Sequence, residues 1–229
     1  MRILAIDTAL KACSAALFDS AADEIVVSES VAMERGHAEA LLPLITRVMD
    51  QGAAEFSDLD RIAVTVGPGS FTGLRVGIAA ARGIALAAGK RAVGVSTLSA
   101  YAAPAIADDL ADAVMVAIDA RHGHVYLQVF GPGGRSLLPA SYVDIAAAMR
   151  AAEVADGEVH VAGSAAGLLA ERWPDGKKNP IVRRAGAAPE IEWVARLGAV
   201  ADASAAPAKP LYLRPPDARA QDAVRLPRR

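Results

Sequence analysis

Asp7 and Asp119 are the residues of this 229-residue chain best placed for metal or acid–base chemistry. Each closes an apolar run with an Ile-Asp pair, Ile6-Asp7 and Ile118-Asp119. Two carboxylates that meet across a cleft could organise Mg²⁺ on a phosphate. Their neighbours do not favour this, because Thr8-Ala9 and Ala120-Arg121 supply no glycine through which a phosphate could approach the backbone. A second candidate is the loop Gly67-Pro68-Gly69-Ser70-Phe71-Thr72-Gly73, set between an apolar run and a helix-like segment. A glycine loop that opens a helix can offer backbone N–H groups to an anion. The spacing fits neither standard phosphate motif. A Walker loop ends in Gly-Lys-Ser/Thr, whereas Leu74-Arg75 follow Gly73, and the GxGxxG dinucleotide fingerprint is one residue shorter. A tight structural turn is the simpler reading.

The remaining reactive types are sparse. His122 and His124 would share a face if that stretch were extended, but no third ligand is near, so they read as exposed strand-edge histidines. His37 has Leu41, not histidine, four residues on. The single cysteine, Cys13, excludes a disulfide framework and any multi-cysteine zinc site, and reads as a small core residue. No GxSxG surrounds a serine, which argues against an elbow-type hydrolase.

The elements that must position these residues follow from periodicity. Residues 3–7, 14–19 and 24–32 are short β-prone runs that form an antiparallel meander. Residues 37–49 have helical spacing, with Pro43 inside, so a kink or a start near the proline is expected. Residues 61–66 form a strand, 74–88 a helix, 92–95 a strand and 97–107 a helix. The order is βββαβαβα. The second half repeats it: strands at 114–119, 125–130 and 136–138, a helix at 143–152, a strand at 159–162, a helix at 165–171, a weak strand at 181–182 and a helix at 189–197. Two copies of βββαβαβα describe an α/β protein of tandem ribonuclease-H-like subdomains, the actin-like ATPase (ASKHA) duplication. In that fold a nucleotide sits between the halves. The division expected is 1–107, 108–200 and a linker and tail at 201–229, in which 201–208 is Ala/Pro-rich and 225–229 is a basic tail.

Composition bounds the partners. The chain is 53% hydrophobic and 22% charged with a formal net charge of −2, too apolar for disorder and too acidic to bind nucleic acid by bulk charge, though a local patch is allowed. Its longest uncharged stretch, residues 92–107, is shorter than the ~18–20 residues of a membrane span. With Asp7 in the first apolar run a signal peptide is not expected, and a soluble, cytoplasmic protein with no membrane partner is. Alanine makes up about a quarter of the residues. Part of it lies on a stripe, Gly73, Gly77, Ala81, Ala85 and Ala88, flanked by Leu74, Ile78 and Leu86. Helix 37–49 is also apolar on two faces. A helix needs one such face for its own sheet, so a second on each of two neighbours predicts a protein partner.

The segments Ile3-Leu4-Ala5-Ile6-Asp7-Thr8, His37 with Leu41-Leu42-Pro43, Gly67 through Phe71-Thr72-Gly73-Leu74-Arg75-Val76-Gly77, Asp119-Ala120-Arg121 and Tyr212-Leu213-Arg214 together resemble the bacterial TsaB (YeaZ) family. The resemblance implies the actin-like fold and a non-catalytic role in tRNA modification. Such proteins pair with a homologous catalytic subunit, TsaD, that forms threonylcarbamoyladenosine next to the anticodon of ANN-decoding tRNAs. A small ATPase, TsaE, joins the pair, and alone these proteins form homodimers. Carried over by position, the pairing surface is His37, Leu41, Leu42, Ile45, Phe71, Thr72, Gly73, Leu74, Gly77, Ile78, Ala81 and Ala85. Asp7, Thr8 and Asp119 are the positions for a nucleotide phosphate. No cofactor is required by the chain itself, and any ATP or ADP with Mg²⁺ belongs at the interface of a complex. Contact with tRNA is at most indirect or weak. Two departures stand out: His122–His124, where the family has a Glu before Val-Tyr, and Ala9, where Ser is common. The alternative is an ATP-binding enzyme of the same fold; a peptidase lacks a nucleophile.

Overall fold

The computed structural model describes residues 1–108, 113–155, 157–183 and 185–214; the basic tail at 225–229 and the Pro215-Pro216 pair lie outside them. Among the described residues ten strands form two five-stranded mixed sheets. The first is built from β1 (Arg2–Asp7), β2 (Ala12–Asp19), β3 (Glu24–Ala32), β4 (Arg61–Gly67) and β5 (Arg91–Ser96), in the order β3-β2-β1-β4-β5. The second is built from β6 (Ala113–Asp119), β7 (His124–Phe130), β8 (Ser136–Asp144), β9 (Val159–Ala162) and β10 (Ile181–Val182), in the order β10-β9-β6-β7-β8. Read from its lead strand, each sheet has the same topology. The lead strand pairs antiparallel with the strand after it and parallel with the fourth.

Central strands are buried on both faces, so their side chains divide by parity. From β1, Leu4 and Ile6 pack with α1 (His37–Gln51) and α2 (Phe71–Ala88), while Ile3 and Ala5 pack with α6 (Ile191–Val200) on the opposite face. From β6, Met115 and Ala117 face α4 (Ile145–Val154) and α5 (Ala166–Glu171), while Val114, Val116 and Ile118 face α3 (Thr97–Ala107). The two halves therefore exchange their last helices. α3 lies on the second sheet, and α6, from the second half of the sequence, lies on the first. Arg61 at the start of β4 fixes α6 by donating from one guanidinium nitrogen to the carbonyls of Gly198, Ala199 and Ala201 (2.8, 3.1 and 2.7 Å).

Three local expectations are revised. α1 starts at His37, after Gly36 in the left-handed region (φ 89°), and runs through Pro43 on its exposed side. β8 extends to Asp144 instead of stopping at 138, because Tyr142 and Val143 pair with Tyr126 and Val125; the Asp144 side chain then caps α4 by accepting from Ala147 N–H (2.6 Å). Residues 201–208 are not a loose linker. Ala206 accepts from the N–H of Gly94 (2.9 Å), Pro207 bridges Val93, and Ala208 is buried in the first core.

Among the described residues one helix, α2, has the length and mean hydropathy (1.3 over 18 residues) of a membrane span. It carries Arg75 and Arg82, and its apolar face lies on β4.

Candidate functional site

The two lead strands end beside a cleft of about 630 Å³ between the lobes. One wall is Leu10, Lys11, Glu34, His37 and the first turn of α2; the other is Asp119, Arg121, Tyr126 and Ser164. Asp119 is exposed there. Its carboxylate accepts from Arg121 N–H (2.8 Å), and its own N–H donates to the Ser164 hydroxyl (3.0 Å). Lys11 forms an ion pair with Glu34 (2.7 Å), and His37 Nε2 contacts the Leu10 carbonyl (3.0 Å).

Asp7 does not reach this cleft. It is fully buried, and its Oδ1 accepts from Ala9 N–H (2.9 Å) and the Thr65 hydroxyl (2.5 Å). Its Oδ2 has no hydrogen-bond partner among the described residues. Burial raises its pKa above the carboxylate range, only partly opposed by the Thr65 and Ala9 hydrogen bonds and by His37. Thr8 is equally enclosed and donates to the Gly73 carbonyl (2.7 Å). The expectation that Asp7 and Thr8 face a phosphate is therefore corrected: of the three residues only Asp119 lines the cleft.

The glycine loop explains the enclosure. Ser70 N–H donates to the Ala9 carbonyl (2.7 Å), and the Ser70 side chain caps α2 by accepting from Gly73 N–H (3.2 Å). α2 thus starts at Phe71, three residues before the expected start. Its first turn rests directly on Thr8 and Ala9, and Gly73 leaves no space for a Cβ against the Thr8 carbonyl. The loop's glycines admit a backbone, not an anion.

The same packing corrects the pairing surface. Nine of the twelve positions expected there, His37, Leu41, Ile45, Gly73, Leu74, Gly77, Ile78, Ala81 and Ala85, are buried within the chain. The small-residue stripe lets α2 approach its own sheet, so charged substitutions at Ile78 or Ala81 would disrupt the fold before any partner. Leu42, Phe71 and Thr72 are exposed, as are Ala79, Gly83 and Leu86, the last 85% exposed. Helical spacing puts Thr72, Ala79, Gly83 and Leu86 opposite the buried stripe, which the sequence pattern could not separate from it because small residues occupy both faces.

His122 and His124 do not share a strand face. His122 sits in a turn with positive φ (51°), followed by Gly123 (75°), and β7 is an inner strand. His124 stacks on Tyr142 (4.7 Å between centroids, 3° between planes). Among the described residues no group of three His, Cys, Asp or Glu side chains could hold a metal. Cys13 is buried in the first core, and burial next to Asp7 pushes its thiol up to about 11, which removes it as a nucleophile at neutral pH.

Sequence reasoning missed the role of residues 211–214 as a strap across both lobes. Leu211 N–H donates to the Val66 carbonyl (2.7 Å), and Tyr212 lies against Phe71 and Arg75 of the first lobe. Leu213 packs with the core around Val114 and Ile118, and the Arg214 guanidinium lies 5.5 Å from the Tyr142 ring.

Two sheets of identical topology, exchanged helices and a cleft at the ends of the lead strands define the two-lobed ribonuclease-H-like, actin-like class. Similarity to known proteins is more particular. The family model described as TsaD, tRNA N6-adenosine threonylcarbamoyltransferase, matches residues 26–166. The Escherichia coli tRNA threonylcarbamoyladenosine biosynthesis protein TsaB is 43% identical over 126 residues, 55% of this chain and 53% of that protein. The match thus spans about half the length of that relative. An uncharacterised Mycobacterium tuberculosis protein is 34% identical over 221 residues, 95% of this chain and 93% of that one. A solved structure of YeaZ from Pseudomonas aeruginosa superposes with a TM-score of 0.72 at 28% identity, covering 93% of this chain and 99% of that one. The chain belongs to the TsaB/YeaZ family, within the wider TsaD-related group.

Proposed function

We propose that this chain is a non-catalytic subunit in the formation of threonylcarbamoyladenosine on tRNA in the cytoplasm, pairing with a TsaD-type transferase that a TsaE-type ATPase joins. The observation that carries the reading is the sealed Asp7. The carboxylate at the end of the first lead strand is covered by the chain's own α2, while the 43% identity to Escherichia coli TsaB covers about half the chain. The pairing surface is the outer face of α1 and α2, with Leu42, Thr72, Ala79, Gly83 and Leu86. The same face would join two copies when the chain is alone. Leu86→Asp tests this, because the side chain already faces water. The expected result is loss of co-elution with the cognate TsaD on size-exclusion chromatography, loss of modification in a reconstituted reaction, and an unchanged melting temperature. An intact complex with full modification would sink the reading.

The cleft favours a second reading, an ATP-binding enzyme, since Asp119, Ser164, Lys11 and Arg121 line a space of nucleotide size. Calorimetric titration with Mg-ATP separates the two. Tight binding lost in Asp119→Asn supports the enzyme, and no heat supports the subunit.

A further inference from the structure

Aromatic residues are scarce in this chain, 4% of the sequence, yet Tyr126 lines the cleft, Tyr142 packs against Tyr126, and Tyr212 lies on the strap. On the first lobe Phe71 and Tyr212 are 5.3 Å apart. The Arg75 guanidinium lies 3.7 Å over the Phe71 ring, and its Nε donates to the Tyr212 hydroxyl (3.2 Å). On the second lobe His124 stacks on Tyr142, Tyr126 is 5.6 Å from Tyr142, and Arg214 approaches the same ring. Tyr212 and Arg214 are two residues apart on the strap, so their Cα atoms lie at most about 7 Å apart. Phe71 and Tyr126 both line the cleft. Rings and cations thus stand on both sides of the cleft's rim, linked by the strap.

These contacts also hold the strap, but that task does not require what is left over. Phe71 and Tyr212 remain 47% and 45% exposed, whereas a ring that only anchors a segment buries its faces. Half-exposed rings next to guanidinium groups suit a ligand with flat π-faces and negative charge between them. The chain's net charge of −2, with Glu34 and Asp119 on the cleft walls, argues against a broad electrostatic footprint of the kind that holds duplex. We propose that this rim is a stacking surface for unpaired nucleotides of a single-stranded polynucleotide. The contact belongs to this chain alone and needs no partner subunit, so it stands or falls separately from the pairing described above.

The test is fluorescence anisotropy of the full chain with single strands about 12 nucleotides long, as RNA and as DNA, and with the matching duplex, one base replaced by 2-aminopurine to read stacking. Single strand is expected to bind better than duplex, with a shallow salt slope of about −1.5 to −2 for two or three phosphates. Tyr212→Ala and Tyr142→Ala should each weaken binding about 5- to 100-fold and abolish the 2-aminopurine quench. Tyr212→Phe should keep it. Tighter RNA than DNA binding adds a 2′-hydroxyl contact, and equal binding leaves base and phosphate as the ligand chemistry. Equal binding of duplex, unchanged binding in both alanine variants at an unchanged melting temperature, or tighter binding of a proline-rich peptide than of any oligonucleotide would overturn the proposal.

Discussion

Asp7 and Asp119 occupy the same place in two sheets of the same topology, yet one is fully buried and the other is exposed in the cleft. The difference lies in where the helix after the fourth strand touches the lead strand. In the second lobe that approach comes early: Ala165 N–H donates to the Ala117 carbonyl (3.0 Å), two residues before Asp119, and Gly163 has no room for a Cβ against the same carbonyl. In the first lobe it comes late: Ser70 N–H donates to the Ala9 carbonyl (2.7 Å), two residues beyond Asp7, and Gly73 abuts Thr8. A shift of about four residues in one backbone contact moves a helix over one carboxylate and leaves its counterpart in the open. A two-lobed fold can thus keep its architecture while closing half of its site, and the closed half has its helices' outer faces available for another task.

The seal depends on the inward face of α2, and the largest effects should come from there. Ala81→Arg forces a charge into a fully buried position and should cost roughly 4 kcal/mol or more, seen as collapse of the urea transition. Ala79→Arg, two residues earlier on the outer face, should change stability by no more than about 0.5 kcal/mol. Equal effects at the two positions would mean that the faces of α2 are misassigned. The next largest effect concerns the two glycines. Gly73→Ala drives a methyl group into the Thr8 carbonyl and should cost about 1–3 kcal/mol, whereas Gly83→Ala meets open space and should gain about 0.5–1 kcal/mol from helix propensity alone. Thermal melts of the pair read the difference directly. A Gly73→Ala variant as stable as its parent would break the account of the seal.

Much of this was legible in the residues. Apolar runs and helical spacing marked both lead strands, α3 to the residue, and the repeat of βββαβαβα that the two sheets bear out. The exchange of α3 and α6 was not legible, because an apolar face such as Ile191, Val194 and Ala195 does not say which sheet it covers. The site was half legible. Asp119 lies where an Ile-Asp ending predicts, but the burial of Asp7 depends on Gly73 meeting Thr8 across 65 residues of sequence, a contact that local spacing cannot report. For the same reason the stripe from Gly73 to Ala85 read as an outer surface. Small residues permit close approach without saying to what. The strap read as part of the tail at 201–229, because Tyr212 and Arg214 gain their meaning only from Phe71, Arg75 and Tyr142, none of them near in sequence.

The smallest expected effect is the most specific to the two carboxylates. Asp7 is held above its ordinary value of 3.8, chiefly by burial. The folded chain therefore keeps this proton at a pH where the unfolded chain has released it. Stability then falls as pH rises from about 4 toward the raised value, and the loss is complete above it. In Asp7→Asn the group no longer titrates, while its carbonyl oxygen can still accept from Ala9 and Thr65. The expected signature is a difference in unfolding free energy, variant minus parent, that grows as pH rises above about 4. It is measured by urea denaturation at each pH, so any constant cost of the new amide cancels from the slope. Asp119→Asn, on the open wall of the cleft, should change stability by no more than about 0.5 kcal/mol at neutral pH. A flat difference for Asp7→Asn would mean that water reaches the carboxylate despite α2, and the contrast between the two lobes would then reduce to one of depth.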